Sequence, residues 1–126
     1  WAQKLRGWRK VLVNPTFHIG AFLRELPSEM QYLSPREDGA KSFFITEEMC
    51  RGYEELEAVE FDALTQEEKD MTIAFFADSD ETVRQGPEFA LHYGKSGISY
   101  PGKHQPVYPE MKQFIVPAIK QFCGWQ

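Results

Sequence analysis

Two prolines eight residues apart, Pro109 and Pro117, constrain the last quarter of the chain more than any other feature. The first turn of a helix tolerates proline, because no hydrogen bond is lost there, and this suits Pro109. Inside a helix, proline removes a hydrogen bond and costs about 3 kcal/mol, which applies to Pro117. The same segment has an apolar stripe at helical spacing, formed by Tyr108, Met111, Ile115, Ala118 and Phe122. The pattern predicts a bent helix over 107–123 that docks against a surface and is not an active site.

The rest of the chain also shows helical periodicity. Helices are predicted over 2–13, 16–26, 46–56, from Thr65 onward and from Pro87 to about Tyr93, with loops over 27–42 and 94–106. The clearest helix start is Thr65-Gln66-Glu67-Glu68, which matches a capping box. No run alternates apolar and polar residues cleanly over the length of a strand. The sequence therefore predicts an all-α fold built from successive helical hairpins.

Charge is unevenly distributed along the chain. The first 24 residues contain five of the 14 basic residues and none of the 19 acidic ones. A basic segment on an acidic body favours a negative partner for that segment, either anionic lipid head groups or an acidic protein. The acidic body disfavours nucleic acid as a partner. The alternative interpretation is a solvated basic helix without a partner.

Composition indicates an ordinary globular domain. No apolar run reaches the roughly 18 residues that a membrane-spanning helix needs. Two cysteines do not make a disulfide framework, and we expect free or buried thiols in a reducing compartment. Because the sequence begins at Trp1 rather than Met, we expect a missing upstream piece, for which a cleaved targeting segment and a disordered N-terminus are both explanations.

The residues that carry chemistry do not form a recognisable motif. The three histidines, His18, His92 and His104, are scattered and have no partner at a spacing typical of metal ligands. Asp78-Ser79-Asp80 resembles the start of a calcium loop, but Val83 stands where that loop needs glycine, so a helix cap or turn is expected. His104 is expected to bond the backbone rather than to transfer protons. We therefore predict no catalytic, metal or cofactor-binding residues.

Two patches of sequence carry a family resemblance. The first runs without a gap through the last helix and consists of Gly102, His104, Val107, Tyr108, Pro109, Gln113, Ile115, Pro117 and Ile119. The second consists of Arg51-Gly52, Leu56, Phe61-Asp62, Leu64, Glu67 and Lys69. With these residues the chain resembles the family of mitochondrial cytochrome c oxidase subunit Va, called subunit VI in fungi, over roughly residues 45–124. The first 44 residues do not match the acidic N-terminus of that family.

The resemblance implies a fold, a location and a role. The fold would be a right-handed superhelix of antiparallel helix pairs, similar to that of tetratricopeptide repeats, over 45–126, preceded by a basic N-terminal arm with short helices and a loop over 1–44. The chain would be a non-catalytic accessory subunit of complex IV in the respiratory chain. It would lie peripherally on the matrix side of the mitochondrial inner membrane and bind no haem or copper. Its partners would be the other subunits of that membrane complex.

The predicted contact surface has two parts. One is the loop and kinked helix at the C-terminus, with Tyr100, Gly102, His104, Tyr108, Pro109, Gln113, Pro117 and Trp125. The other is the basic arm, with Arg6, Trp8, Arg9 and Lys10. Three alternatives stay open: a free-standing helical-repeat module that binds a peptide, an accessory subunit of another mitochondrial membrane complex, and a small helical enzyme.

Overall fold

The structure, a computed structural model, describes residues 2–126, so Trp1 lies outside it. A short 3-10 turn at Ala2–Lys4 precedes the regular elements. In chain order these are β1 Lys10–Val13, α1 Ile19–Glu25, β2 Glu29–Gln31, β3 Ser42–Phe44, α2 Glu47–Glu57, α3 Gln66–Asp70, β4 Thr72–Ala77, α4 Gly86–Tyr93, β5 Ile98–Tyr100, α5 Tyr108–Glu110, a π-helical turn Met111–Ile115 and α6 Val116–Cys123. The chain divides into two compact units, one comprising 2–17 with 61–126 and the other comprising 18–60.

The expected all-α superhelix is wrong, because the first unit is built on a parallel β-sheet. Its strand order is β1-β4-β5, and both pairs are parallel. Parallel strands are buried on both faces and therefore have continuous apolar runs, which fit a helix as well as a strand. This explains why Val11–Val13 and Ile73–Ala77 were assigned to helices from the sequence. The chain is a mixed α/β protein.

Alternate residues of the strands point to two separate apolar clusters. On one face, Leu12 and Ala74 pack with Phe17 and with Phe89 and Tyr93 of α4. On the other face, the buried residues are Phe75, Tyr100 and Ile115, with partly buried neighbours from β1, β4 and the C-terminal helix around them. The sheet is therefore covered by α4 on one face and by the C-terminal helix on the other, a layered α/β arrangement.

The C-terminal helix contains Pro117 without the expected interior penalty. A π-helical turn interrupts the α-helix, and within it the amide of Val116 donates to the carbonyl of Met111, five residues back. Because α6 begins at Val116, Pro117 lies in its first turn, where a backbone N–H is not needed. Ile115, in the π turn, is fully buried against the sheet of the same chain. The helix thus docks on its own domain.

Several helix starts that the sequence predicted are confirmed. The Thr46 hydroxyl accepts from the Met49 amide at the start of α2, and the Thr65 hydroxyl accepts from the Glu68 amide at the start of α3, both at 3.2 Å. Pro87 lies in the first turn of α4. These signals are local in sequence, which is why they could be identified without the fold.

The unit formed by residues 18–60 has its own helix pair and hairpin. Strands β2 and β3 are antiparallel, and α1 packs on α2. Arg24 on α1 binds two carboxylates on α2, those of Glu47 and Glu54. Gly20 lies so close to α2 that an added Cβ would be 2.7 Å from Cγ of Glu54. The small residue is what lets the two helices approach.

Lys10 and Glu68 form a buried ion pair at the start of β1. Their side chains are 4% and 8% exposed, and Nζ of Lys10 lies 2.6 Å from Oε2 of Glu68. The other carboxylate oxygen of Glu68 accepts from the Gly7 amide at 2.7 Å. The hydrogen bond from Lys10, followed by that from Gly7, lowers the pKa of Glu68 below its ordinary value of 4.5 despite the opposing effect of burial.

Acid is therefore expected to destabilise the fold partly through Glu68. Because its pKa is lower in the folded chain, the carboxylate contributes stability above the unfolded pKa and loses it as the pH falls through the folded value. We expect Glu68→Gln to lower Tm at neutral pH and to reduce the further loss of Tm between about pH 5 and about pH 3, compared with the unchanged chain. Thermal unfolding followed by circular dichroism measures both. Glu67→Gln, at the exposed neighbouring position, is the matched control. An identical acid-induced loss in all three proteins would contradict the assignment.

Candidate functional site

The carboxyl ends of the three parallel strands meet at one edge of the sheet. Asn14 follows β1, Asp78–Asp80 follow β4, and the loop of Lys103 and His104 follows β5. The ladder continues past the strands, since the Asn14 amide donates to Phe75 and the Asp78 amide donates to Tyr100. In open parallel sheets, ligands bind outside this edge. It is therefore the place to look for a site.

Asp80 is a buried carboxylate, with 1% of the residue exposed. Its Oδ1 accepts from the amides of Thr82 and Val83, both at 2.8 Å, which forms the turn that the sequence predicted. Burial acts to raise the pKa of Asp80, but the hydrogen bonds from Val83, His104 and Thr82 outweigh it and lower the pKa below its ordinary value of 3.8. Asp80 is therefore an ionised acceptor at neutral pH.

His104 is the partner of that carboxylate. Its Nδ1 lies 2.9 Å from Oδ2 of Asp80, and its side chain is 37% exposed. An ionised carboxylate can only accept, so Nδ1 carries the proton, and in the neutral form of the ring Nε2 keeps its lone pair. Within residues 2–126, Nε2 makes no hydrogen bond. The expectation that this ring bonds the backbone is not met, because its partner is a side chain.

A cavity of about 360 Å³ lies beside this pair, lined by Ser79, Glu81, Thr82, Lys103, His104 and Gln105. Its lining is polar, with hydroxyls and an amide beside one cation and one anion. The volume is at the small end of ligand-binding pockets, which fits a small substrate or one end of a longer one. A partly exposed imidazole at the wall of such a cavity can take a proton from a bound group when one ring nitrogen is unprotonated.

The loop that carries His104 is held against the turn after β4. The amide of Gly102 donates to Oδ1 of Asp78 at 3.2 Å, and the carbonyl of Gly102 accepts from the Ser79 amide at 3.1 Å. A Cβ at position 102 would lie 2.8 Å from the Tyr100 ring. Glycine is therefore needed where the chain passes the Tyr100 ring, and the two hydrogen bonds hold the loop of His104 against the turn that carries Asp80.

The structure brings only part of the predicted contact surface into this site. Gly102 and His104 lie at the strand edge, and Tyr100 is buried beneath it. The other C-terminal positions are exposed, namely Tyr108, Pro109, Gln113, Pro117 and Trp125. As a surface for partner proteins, these positions stay a prediction.

The basic arm positions serve mainly the chain itself. Arg6 donates to the carbonyl of Asp62 at 2.8 Å, and Arg9 donates to the carbonyl of Phe122. Lys10 forms the buried pair with Glu68, whereas Trp8 is exposed. Sequence reasoning missed two residues of this strand edge, Asp80, as the partner of His104, and Asn14. The available signal was a polar residue directly after one apolar run, at Asn14, and a short polar stretch that contains Asp80 after the other.

Residues 2–126 lack two features that would indicate other functions. None of their helices combines the length and apolar character that crossing a bilayer requires. No group of three or more His, Cys, Asp or Glu side chains in that range is placed to hold a metal ion. Comparisons of the chain with protein-family models, with curated proteins and with solved structures found no match.

Proposed function

We propose that the chain supplies the acid–histidine pair of a hydrolase that acts on small ester or other acyl substrates. One observation carries the proposal: Nδ1 of His104 lies on the buried, ionised Asp80 at the carboxyl edge of a parallel sheet, beside a cavity. The proposal departs from the expectation of a non-catalytic chain. That expectation rested on the lack of a recognisable catalytic motif and on the family resemblance, and the resemblance implied an all-α fold that the structure does not have.

The pair has the properties that acyl transfer requires. Nε2 of His104 takes the proton of a hydroxyl or water as its oxygen attacks the acyl carbonyl, and later gives that proton to the leaving group. Asp80 holds the ring in the tautomer that leaves Nε2 bare and stabilises the imidazolium that forms. Histidine used in this way contributes roughly 10²–10⁴-fold to a rate.

The order of the two residues along the chain supports the same chemistry. In α/β-hydrolases the nucleophile, the acid and the histidine follow one another in that order at the ends of strands in a parallel sheet. Asp80 follows β4 and His104 follows β5, which is the order of the last two. This likeness is one of arrangement alone. It predicts that a covalent nucleophile, where one is used, precedes Asp80 in the chain.

The test is hydrolysis of p-nitrophenyl acetate by the full natural chain and by His104→Gln. We expect His104→Gln to lose at least about 100-fold in kcat, with Tm unchanged within a few degrees, because the ring is partly exposed. The control is Leu91→Ala, at an exposed position of α4. Glu88→Gln on the same helix is unsuitable, because the Glu88 carboxylate bonds His92.

A second measurement identifies the group that loses its proton. Labelling with a fluorophosphonate, followed by mass spectrometry, marks a covalent nucleophile, which we expect N-terminal to Asp80. Hydrolysis without labelling assigns the attack to water. Activity equal in the full chain and in His104→Gln, or no hydrolysis of any p-nitrophenyl ester from acetate to octanoate, would overturn the proposal.

The accessory-subunit hypothesis stays a prediction. Its fold argument is lost with the all-α superhelix, although several of the matching residues lie in helices, namely those of the last helix, of α2 and of α3. Co-purification with a haem-containing membrane complex is the observation that favours it.

A further inference from the structure

Asn14 lies where the ends of all three strands converge. It directly follows β1, only 5% of the residue is exposed, and its φ of 46° places it in the left-handed region. Asparagine adopts this conformation more readily than most residues, although it still costs free energy relative to extended backbone. A strained, buried polar residue at a candidate site calls for a physical reason.

The side chain of Asn14 uses both its donor and its acceptor. Its Oδ1 accepts from the amide of Ala77 at 2.8 Å. Its Nδ2 donates to the carbonyl of His104 at 2.7 Å and to the hydroxyl of Tyr100 at 2.8 Å, with the carbonyl of Lys103 at 3.4 Å. Because Nδ2 of Asn14 can only donate hydrogen bonds and Oδ1 can only accept them, these partners fix the orientation of the Asn14 amide.

These partners belong to the two segments that carry the acid and the histidine. Ala77 is the last residue of β4, three positions before Asp80. The His104 carbonyl belongs to the residue whose ring bonds Asp80. One side chain thus connects both backbones, and the separation between them sets the distance between Nδ1 and the carboxylate. No other side chain makes these two connections among the hydrogen bonds of residues 2–126.

We infer that Asn14 is a positioning residue, which holds the main chain of His104 so that the ring stays on Asp80 with Nε2 directed for proton transfer. It acts through His104 and does not contact substrate. The inference rests on the proposed hydrolase function. Small displacements of a catalytic group are expensive, since about 1 Å can cost about 10²-fold in rate.

Two variants separate the contacts of Asn14. Asn14→Ala removes all of them, whereas Asn14→Asp keeps the acceptor for Ala77 and loses the donor to the His104 carbonyl. With p-nitrophenyl acetate, we expect both to lower kcat by about 10²-fold and to leave KM within about twofold, because the cavity lining is unchanged. If Asn14→Ala fails to fold, Asn14→Asp alone decides the outcome.

A spectroscopic measurement reads the position of the ring without turnover. The proton on Nδ1, held on a carboxylate, exchanges slowly and resonates downfield in the proton NMR spectrum, and its absence from His104→Gln assigns it. We expect this resonance to be lost or shifted upfield in both Asn14 variants. Phe89→Leu, a core variant, controls for destabilisation alone; assayed well below its Tm, it should keep both kcat and the resonance.

The outcomes distinguish this inference from the proposed function. Loss of the resonance in the Asn14 variants without any hydrolysis by the full chain supports the positioning role and overturns the hydrolase. Hydrolysis that depends on His104 but is unaffected in both Asn14 variants overturns the positioning role alone. A lower Tm with kcat and the resonance unchanged, or a change confined to KM, also overturns it.

Discussion

Asp80→Asn is expected to lower kcat for ester hydrolysis by about 10³–10⁴-fold. The asparagine keeps the shape of the side chain and an oxygen for the amides of Thr82 and Val83. It places an NH₂ group where a carboxylate oxygen now accepts from His104. A donor there forces the ring into the other tautomer, with the proton on Nε2, so Nε2 no longer accepts a proton.

The measurement compares kcat, KM and Tm of Asp80→Asn with those of the full natural chain. KM is expected to change by only a few-fold, because the variant alters proton transfer rather than the cavity. Asp62→Asn, at an exposed aspartate outside the site, is the control and should leave all three values unchanged. Because the pair works as a unit, Asp80→Asn combined with His104→Gln should be little slower than the slower of the two single variants. Additive losses in the double variant would show that the two side chains act separately.

Phe89→Ala is expected to cost about 3–5 kcal/mol in the free energy of unfolding. Phe89 is fully buried on α4, and its ring stacks on that of Tyr93 with a centroid distance of 4.5 Å. The centroids of the Phe89 and Phe76 rings are 5.8 Å apart. Removing the Phe89 ring leaves a cavity between α4 and the sheet that neighbouring rings cannot fill. Domains of this kind have a total stability of roughly 5–15 kcal/mol, so the variant would lose a large part of it.

Urea unfolding at 25 °C measures this loss. Leu91→Ala lies two residues away on the same helix at a position that is 75% exposed, and it should change the free energy of unfolding by less than about 0.5 kcal/mol. The contrast between the two substitutions tests the placement of α4 on the sheet. Equal effects at positions 89 and 91 would mean that α4 presents a different face to the core.

The helices of this fold could be predicted where their signals are local. Thr46, Thr65 and Pro87 each identify a helix start within a few residues of sequence. The strands could not be predicted in this way. Strand β4 is apolar at nearly every position and directly follows α3, so the helical spacing of apolar residues that begins at Met71 continues through the strand. Only the pairing of β4 with β1 and β5 distinguishes the two, and that pairing joins residues far apart in the chain.

The site was missed for the same reason. Asp80 and His104 are 24 residues apart, and neither stands in a motif. Their contact depends on the register that places Ala77 beside Tyr100, which carries the two following loops to the same edge. Asn14 is further away in sequence still, and its role depends on β1 lying next to β4. Once the sheet is known, a polar residue after each apolar run identifies the site directly.

The wide turn at Met111–Ile115 takes up one residue more than a turn of α-helix. Deleting one residue there would restore a regular helix and leave the side chains after it pointing in nearly the same direction, so Ala118 and Ile119 would still pack towards the sheet. The same deletion would place Pro117 in the interior of a continuous α-helix, where proline is costly. Related chains are therefore expected to keep the extra residue where they keep this proline.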